Sequence, residues 1–212
     1  MDFSGALRQG ETGAGGVELR AAPRFASLIR AAKLVSRQGE FVCVIRDVSA
    51  TGIGLRSFHA LPAEGDCALE LQNGESYEIE RVRRAGLEAS FRFAHPIDVE
   101  KLIHETWKYP KRQLRLNIAM PIVVTTLAGR YRATTENISQ QGARIECEAL
   151  LAIDQTVRIE ADHIPDIRAK VRWRQESCYG LVFDNTFSLR DFAVLAAALQ
   201  CPSLLSNDDW AG

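Results

Sequence analysis

No stretch of this 212-residue chain approaches the ~20 consecutive apolar residues that a bilayer span needs, so membrane insertion is not expected. Residues 1–16 hold five glycines and no continuous apolar core. That excludes a signal peptide and reads as a flexible leader. The cysteines are few and scattered: Cys43, Cys67, Cys147, Cys178 and Cys201 include no C-x-x-C pair. The histidines, His59, His95, His104 and His163, share no ligand spacing with them, so no zinc site is expected. An odd, dispersed set fits reduced thiols in a cytoplasm rather than a disulfide framework. Cys43 and Cys147 sit among apolar neighbours, where small buried hydrophobes belong. The chain also lacks a Gly-rich phosphate loop and any nucleophile with a paired base, which leaves no basis for an enzyme and no resident cofactor. Excess charge of one sign is missing too. The formal net charge is −1, so binding to DNA or RNA is not expected.

What the chain does have, it has twice. Arg20, Arg24, Asp47, Ser49 and Gly52 lie in R-A-A-P-R followed by D-V-S-A-T-G. Lys111, Arg115, Asn137, Ser139 and Gly142 repeat the layout in K-R-Q-L-R and N-I-S-Q-Q-G. Arg24 and Asp47 are 23 positions apart, and Arg115 and Asn137 are 22. Downstream, Ser90-Phe91-Arg92-Phe93 is answered by Gly180-Leu181-Val182-Phe183. A polar constellation kept in register across a duplication points to a paired binding site or its remnant.

Each half has the same grammar. Short runs with turns between them predict strands at Lys33–Val35, Phe41–Ile45, Ile53–Arg56, Ala68–Leu71 and Tyr77–Val82. The second half predicts them at Ile122–Val124, Tyr131–Thr135, Ala143–Glu146, Val157–Glu160 and Arg168–Trp173. This spacing argues for small antiparallel barrels. In the last of these strands Ala169, Val171 and Trp173 alternate in phase, which favours barrel core or rim packing for Trp173 over the alternative, a base-stacking platform. A helix closes each half. Val99, Leu102, Ile103 and Thr106 mark the first, and Phe192, Leu195, Ala196 and Leu199 the second, with Ser188 as N-cap, Asp191 three residues on and Pro202 as stop. Trp107 falls at the end of the first helix, where it can pack between domains. Lys108-Tyr109-Pro110 forms a short hinge.

Chemically, two arginines can clamp phosphate oxygens, pair with the O6/N7 edge of guanine, or stack on a base. Asp or Asn can accept from base N–H groups, serine adds a hydroxyl, and glycine allows close approach. The alternative is structural. A D-x-S-x-x-G commonly forms an Asx or Ser turn that bonds its own backbone. Arg30 either enlarges the first positive patch or faces solvent.

These motifs resemble the PilZ domain, a bacterial receptor module for cyclic di-GMP, over residues 17–107 and again 108–201. The resemblance implies a mainly β protein of two tandem six-stranded antiparallel barrels, each followed by a C-terminal helix, with 202–212 as a tail. It implies cyclic di-GMP as the ligand, held by Arg20, Arg24, Asp47, Ser49 and Gly52. The second copy, Lys111, Arg112, Arg115, Asn137, Ser139 and Gly142, is weaker, because lysine keeps the charge of the first arginine and loses its planar fork. The implied function is a cytoplasmic receptor or adaptor that relays the second messenger by conformational change and contact with a protein effector. The alternative is a degenerate barrel scaffold that binds proteins without nucleotide.

Overall fold

The structure is a computed structural model and describes residues 25–62, 65–103, 113–162 and 165–205, without the side chains of 25–28. Arg20, Arg24, Lys111 and Arg112 lie outside the described residues, as do Thr106, Trp107 and the hinge at 108–110.

Strands β1 (Phe25–Ser36), β2 (Gly39–Val48), β3 (Gly52–Ser57), β4 (Cys67–Glu70), β5 (Ser76–Ala85) and β6 (Glu88–Phe93) form a closed antiparallel barrel in the order β1-β2-β3-β6-β5-β4. A short helix, α1 (Val99–Ile103), follows. The chain then enters β7 (Arg115–Leu116), β8 (Pro121–Thr126), β9 (Gly129–Ser139), β10 (Gly142–Cys147), β11 (Thr156–Glu160), β12 (Ile167–Gln175) and β13 (Cys178–Phe183), and ends in α2 (Leu189–Gln200). Pairing of β9 with β10 and of β11 with β8 closes a second barrel, β8-β9-β10-β13-β12-β11, whose strand order repeats that of the first. No helix among the described residues is long and apolar enough to cross a membrane.

The duplication holds at the level of register. In the first barrel Phe25 pairs with Val48, and β1 then bulges before Arg30 meets Ile45. In the second, Leu116 pairs with Ile138, and the strand breaks outright before Pro121 meets Thr134. A buried threonine manages that break. Thr135 Oγ1 donates to Ile118 O at 2.6 Å and accepts from the Met120 N–H at 3.1 Å, so the interrupted ladder keeps its partners.

Arg30, on the bulge, is neither a patch nor a solvent residue. Its guanidinium donates to the carbonyls of Leu102 (2.6 Å) and Ile103 (3.2 Å), satisfying the C-terminal end of α1. Ser188 caps α2 as its position suggests, accepting from the Asp191 N–H at 3.1 Å.

The barrels share more than a linker. Helix α2 is buried from Phe192 through Ala198, on more than one face, because it lies between them. Phe192, Ala193 and Ala196 join the second core, which also takes in Val42 of β2. Ala197 packs with Phe41 and Leu204 in a separate cluster. Covering of its outer face explains why β2 reads Phe41-Val42-Cys43, a continuous apolar run rather than an alternation.

Burial pushes the Cys43 thiol up to about 12. A raised value favours the protonated, folded form, so its stabilisation is intact at neutral pH and is lost as pH climbs from the ordinary thiol range toward 12. Denaturant midpoints at pH 8 and 10.5 are expected to show an alkaline loss that Cys43→Ala reduces by about 2 kcal/mol. Phe192→Ala is expected to cost about 3–5 kcal/mol in urea unfolding, since its ring is fully buried between the barrels. Leu127→Ala, at an exposed turn, is expected to stay within about 0.5 kcal/mol of the parent.

Candidate functional site

Both D/N-x-S-x-x-G segments are strand-to-strand corners. Ser49 Oγ bonds both the Gly52 N–H (3.0 Å) and the Gly52 carbonyl (3.2 Å), and Ser139 Oγ donates to Gly142 O at 3.1 Å. Each serine is buried and holds the corner shut. The glycines serve the same purpose. A Cβ at Gly142 would strike the Leu181 carbonyl of β13, and one at Gly52 would press on Phe91 O at 3.2 Å. The corner thus positions its first residue, Asp47 or Asn137, on the barrel's outer wall.

From there the two halves diverge. Asp47 sits opposite Gly54, and a Cβ on Gly54 would collide with the Asp47 carboxylate. Asn137 sits opposite Arg144. On the next strand Gly54 faces Ser90, whereas Arg144 faces Gly180. Beyond these, Ser90 meets Arg83 and Gly180 meets Trp173. The register therefore makes Arg83 and Trp173 equivalent, each just past a bulge in its strand.

That bulge takes Trp173 out of the barrel core that its alternation suggests. Between Val171 and Trp173 the register slips, so Trp173 leaves the inward face that Ala169 and Val171 share. Its side chain lies outside, 40% exposed, over Gly180, where any Cβ would overlap the indole. The Arg144 guanidinium stands 5.9 Å from the indole centroid and pairs with Glu136 at 2.6 Å. Its contact with Cys178, followed by Glu136, raises the already high Arg144 pKa, so this cation is permanent. The glycine of G-L-V-F is the sequence signal for this platform, because the first half carries serine at that point.

A cleft of about 760 Å³ opens over this surface. Gln113, Arg115, Arg144, Arg172 and Trp173 supply its functional groups. Arg115 is exposed and pairs across the sheet with Ser139. Gln113 Oε1 is buried with no hydrogen-bond partner among the described residues. The opposite wall is the β4–β5 turn of the first barrel, Glu70 to Gln72 and Gly74. The equivalent hollow on the first barrel, between Arg46, Asp47, Gly54, Arg83, Glu88 and Ser90, is only about 270 Å³. Small-molecule sites usually run ~300–1,000 Å³, which the second cleft meets and the first, as formed by its described residues, does not.

The second half of the chain has a sequence match as well: residues 110–200 match the family described as the PilZ domain. The second barrel is a PilZ domain. The first lies outside that match and repeats its strand order. No curated protein matches the chain. Among solved structures, the Borreliella burgdorferi PlzA protein in complex with c-di-GMP is 12% identical, with 81% of this chain and 87% of that one covered at a TM-score of 0.33. The K. pneumonia MrkH–c-di-GMP complex is 10% identical, with 82% and 90% covered at a TM-score of 0.33. The PilZ domain of CeSA from a cellulose-synthesizing bacterium is 18% identical, with 41% and 94% covered at 0.32. At such identities and scores, the ligands of these proteins do not transfer to this chain by likeness.

Gly180→Ala is expected to dislodge Trp173 while leaving the barrel folded. Near-UV circular dichroism should lose its Trp173 contribution, with the far-UV spectrum unchanged. An unaltered near-UV spectrum would mean that the indole does not rest on Gly180.

Proposed function

We propose that this protein is a cyclic di-GMP receptor and that the cleft of its PilZ domain, on the second barrel, is the principal binding site. The observation that carries this reading is the pairing of a flat, accessible indole with permanent cations in one cleft of adequate size. Trp173 offers a face for a guanine, worth about 1–3 kcal/mol for a stacked base. Arg115, Arg144 and Arg172 offer forks for phosphate oxygens and for the O6/N7 edge of guanine. Gln113 Oε1 offers an acceptor for guanine N–H groups inside the cleft, and Asn137, opposite Arg144 and outside the cleft lining, offers one beside it. Ser139 and Gly142 act by holding the corner that aims Asn137.

The first barrel's set, Arg20, Arg24, Asp47, Ser49 and Gly52, is in this account the secondary site. Sequence alone ranks it first, because its motif is complete. The smaller hollow, and Arg83 in place of the indole, support the opposite order. The protein acts as a receptor and not a catalyst, working in the cytoplasm and signalling through a protein effector.

Calorimetric titration with cyclic di-GMP tests this. Trp173→Ala and Arg115→Ala are each expected to weaken binding about 5- to 150-fold, as the loss of about 1–3 kcal/mol requires. Arg83→Ala should leave the main isotherm within about twofold. Loss of binding in Arg83→Ala with Trp173→Ala unaffected would move the site to the first barrel. No heat from the wild type would return the protein to the scaffold reading.

A further inference from the structure

Residues 117–120 interrupt the strand that carries Arg115, and the second barrel holds this break through β9 on one side and Thr135 on the other, with Asn117 between them. At Asn117 itself the first barrel adds a hold of its own. Glu40, at the start of β2, takes Asn117 with both carboxylate oxygens. Oε2 accepts from the Asn117 backbone N–H at 2.7 Å, and Oε1 accepts from its Nδ2 at 2.8 Å. Asn117 is two residues past Arg115, and its side chain faces solvent on its other side.

Glu40 is itself immobilised from two directions. Lys33 Nζ, almost wholly buried, meets Glu40 Oε2 at 3.1 Å and Glu70 Oε2 at 3.0 Å. Gln200, the last residue of α2, brackets the Glu40 backbone, accepting from its N–H at 2.9 Å and donating to its carbonyl at 2.7 Å. The far carboxylate, Glu70, lines the cleft. One chain of contacts thus runs from the cleft wall through Lys33 and Glu40 to the segment that presents Arg115.

We infer that Glu40 of the first barrel is a positioning residue for the second barrel's site: it clamps the Arg115-bearing segment through Asn117. The clamp costs little to maintain, because Glu40 keeps its place through Lys33 and Gln200 whether or not Asn117 is engaged. A held arginine loses less freedom on meeting an anion, which is how preorganisation raises affinity. The role in binding rests on the cyclic di-GMP reading above, whereas the clamp itself stands without a ligand.

The test is Asn117→Asp, which sets a second carboxylate against Glu40, with Glu40→Gln added to the same chain as rescue. In the double variant the amide introduced at position 40 donates to the carboxylate introduced at position 117, while its oxygen accepts the backbone N–H. Hydrogen exchange without ligand, over residues 113–118, should quicken at least about tenfold in Asn117→Asp and return in the double variant. Calorimetry with cyclic di-GMP should show affinity falling about tenfold and recovering in parallel, with Tm of the single variant nearly unchanged. Exchange at the wild-type rate in Asn117→Asp overturns the clamp. Altered exchange with unaltered affinity overturns the positioning role. A fall in Tm and affinity that the double variant does not recover shows a merely structural contact. If the wild type binds no cyclic di-GMP, the receptor reading fails and the positioning role fails with it, while exchange still decides the clamp on its own.

Discussion

The docking of α2 against β2 is the contact on which the rest of the molecule depends. The helix belongs to the second barrel by sequence, yet it buries Phe41 of the first and ends in the Gln200 bracket on Glu40. A helix lined by Ala193, Ala196, Ala197 and Ala198 lets both neighbours approach closely. That approach brings the β4–β5 turn over the second barrel's wall and creates an inter-barrel cleft where a lone barrel would present an open surface. Lys33 is buried with two carboxylates of its own barrel, Glu40 and Glu70, and the docking adds Gln200 and Asn117 of the second half around Glu40. Through Gln200 and Asn117 this cluster is tied to the second barrel.

Within that frame, the functional difference between the barrels comes down to three register-matched exchanges: Gly54 for Arg144, Ser90 for Gly180, and Arg83 for Trp173. Each alters what the outer wall offers while the corner motif stays the same. Glycine at 180 gives the indole room to lie flat. Arginine at 144 places a cation beside the ring. In the first barrel a carboxylate settles over Gly54 instead. The motif, by contrast, is largely occupied with its own backbone. Ser49 and Ser139 close their turns, and Gly142 admits the neighbouring strand. The repeated corner and the divergent wall therefore divide the work: the first builds the shape, and the second decides what fits it.

Much of this is legible in the sequence. The repeat, the barrel strands, the closing helix and the Ser188 cap follow from spacing and turn chemistry, which are local properties. Strict alternation carries Trp173 inward, but a bulge is set by the partner strand, whose glycine lies seven residues away. Arg30 is opaque for a similar reason: its partners, the carbonyls of Leu102 and Ile103, lie more than seventy residues on. The Glu40–Asn117 contact joins two barrels and has no sequence signature at all. Arg20, Arg24, Lys111 and Arg112 lie outside the described residues, so the arginine half of the motif stands on sequence pattern, with Arg115 as its described member.

A crystal structure of the full chain with cyclic di-GMP tests the central claim most directly. The account predicts a guanine stacked on Trp173, phosphate oxygens at Arg115, and the β4–β5 turn of the first barrel closed against the ligand. Nucleotide seated instead against Asp47 and Arg83, with the inter-barrel cleft vacant, would contradict it.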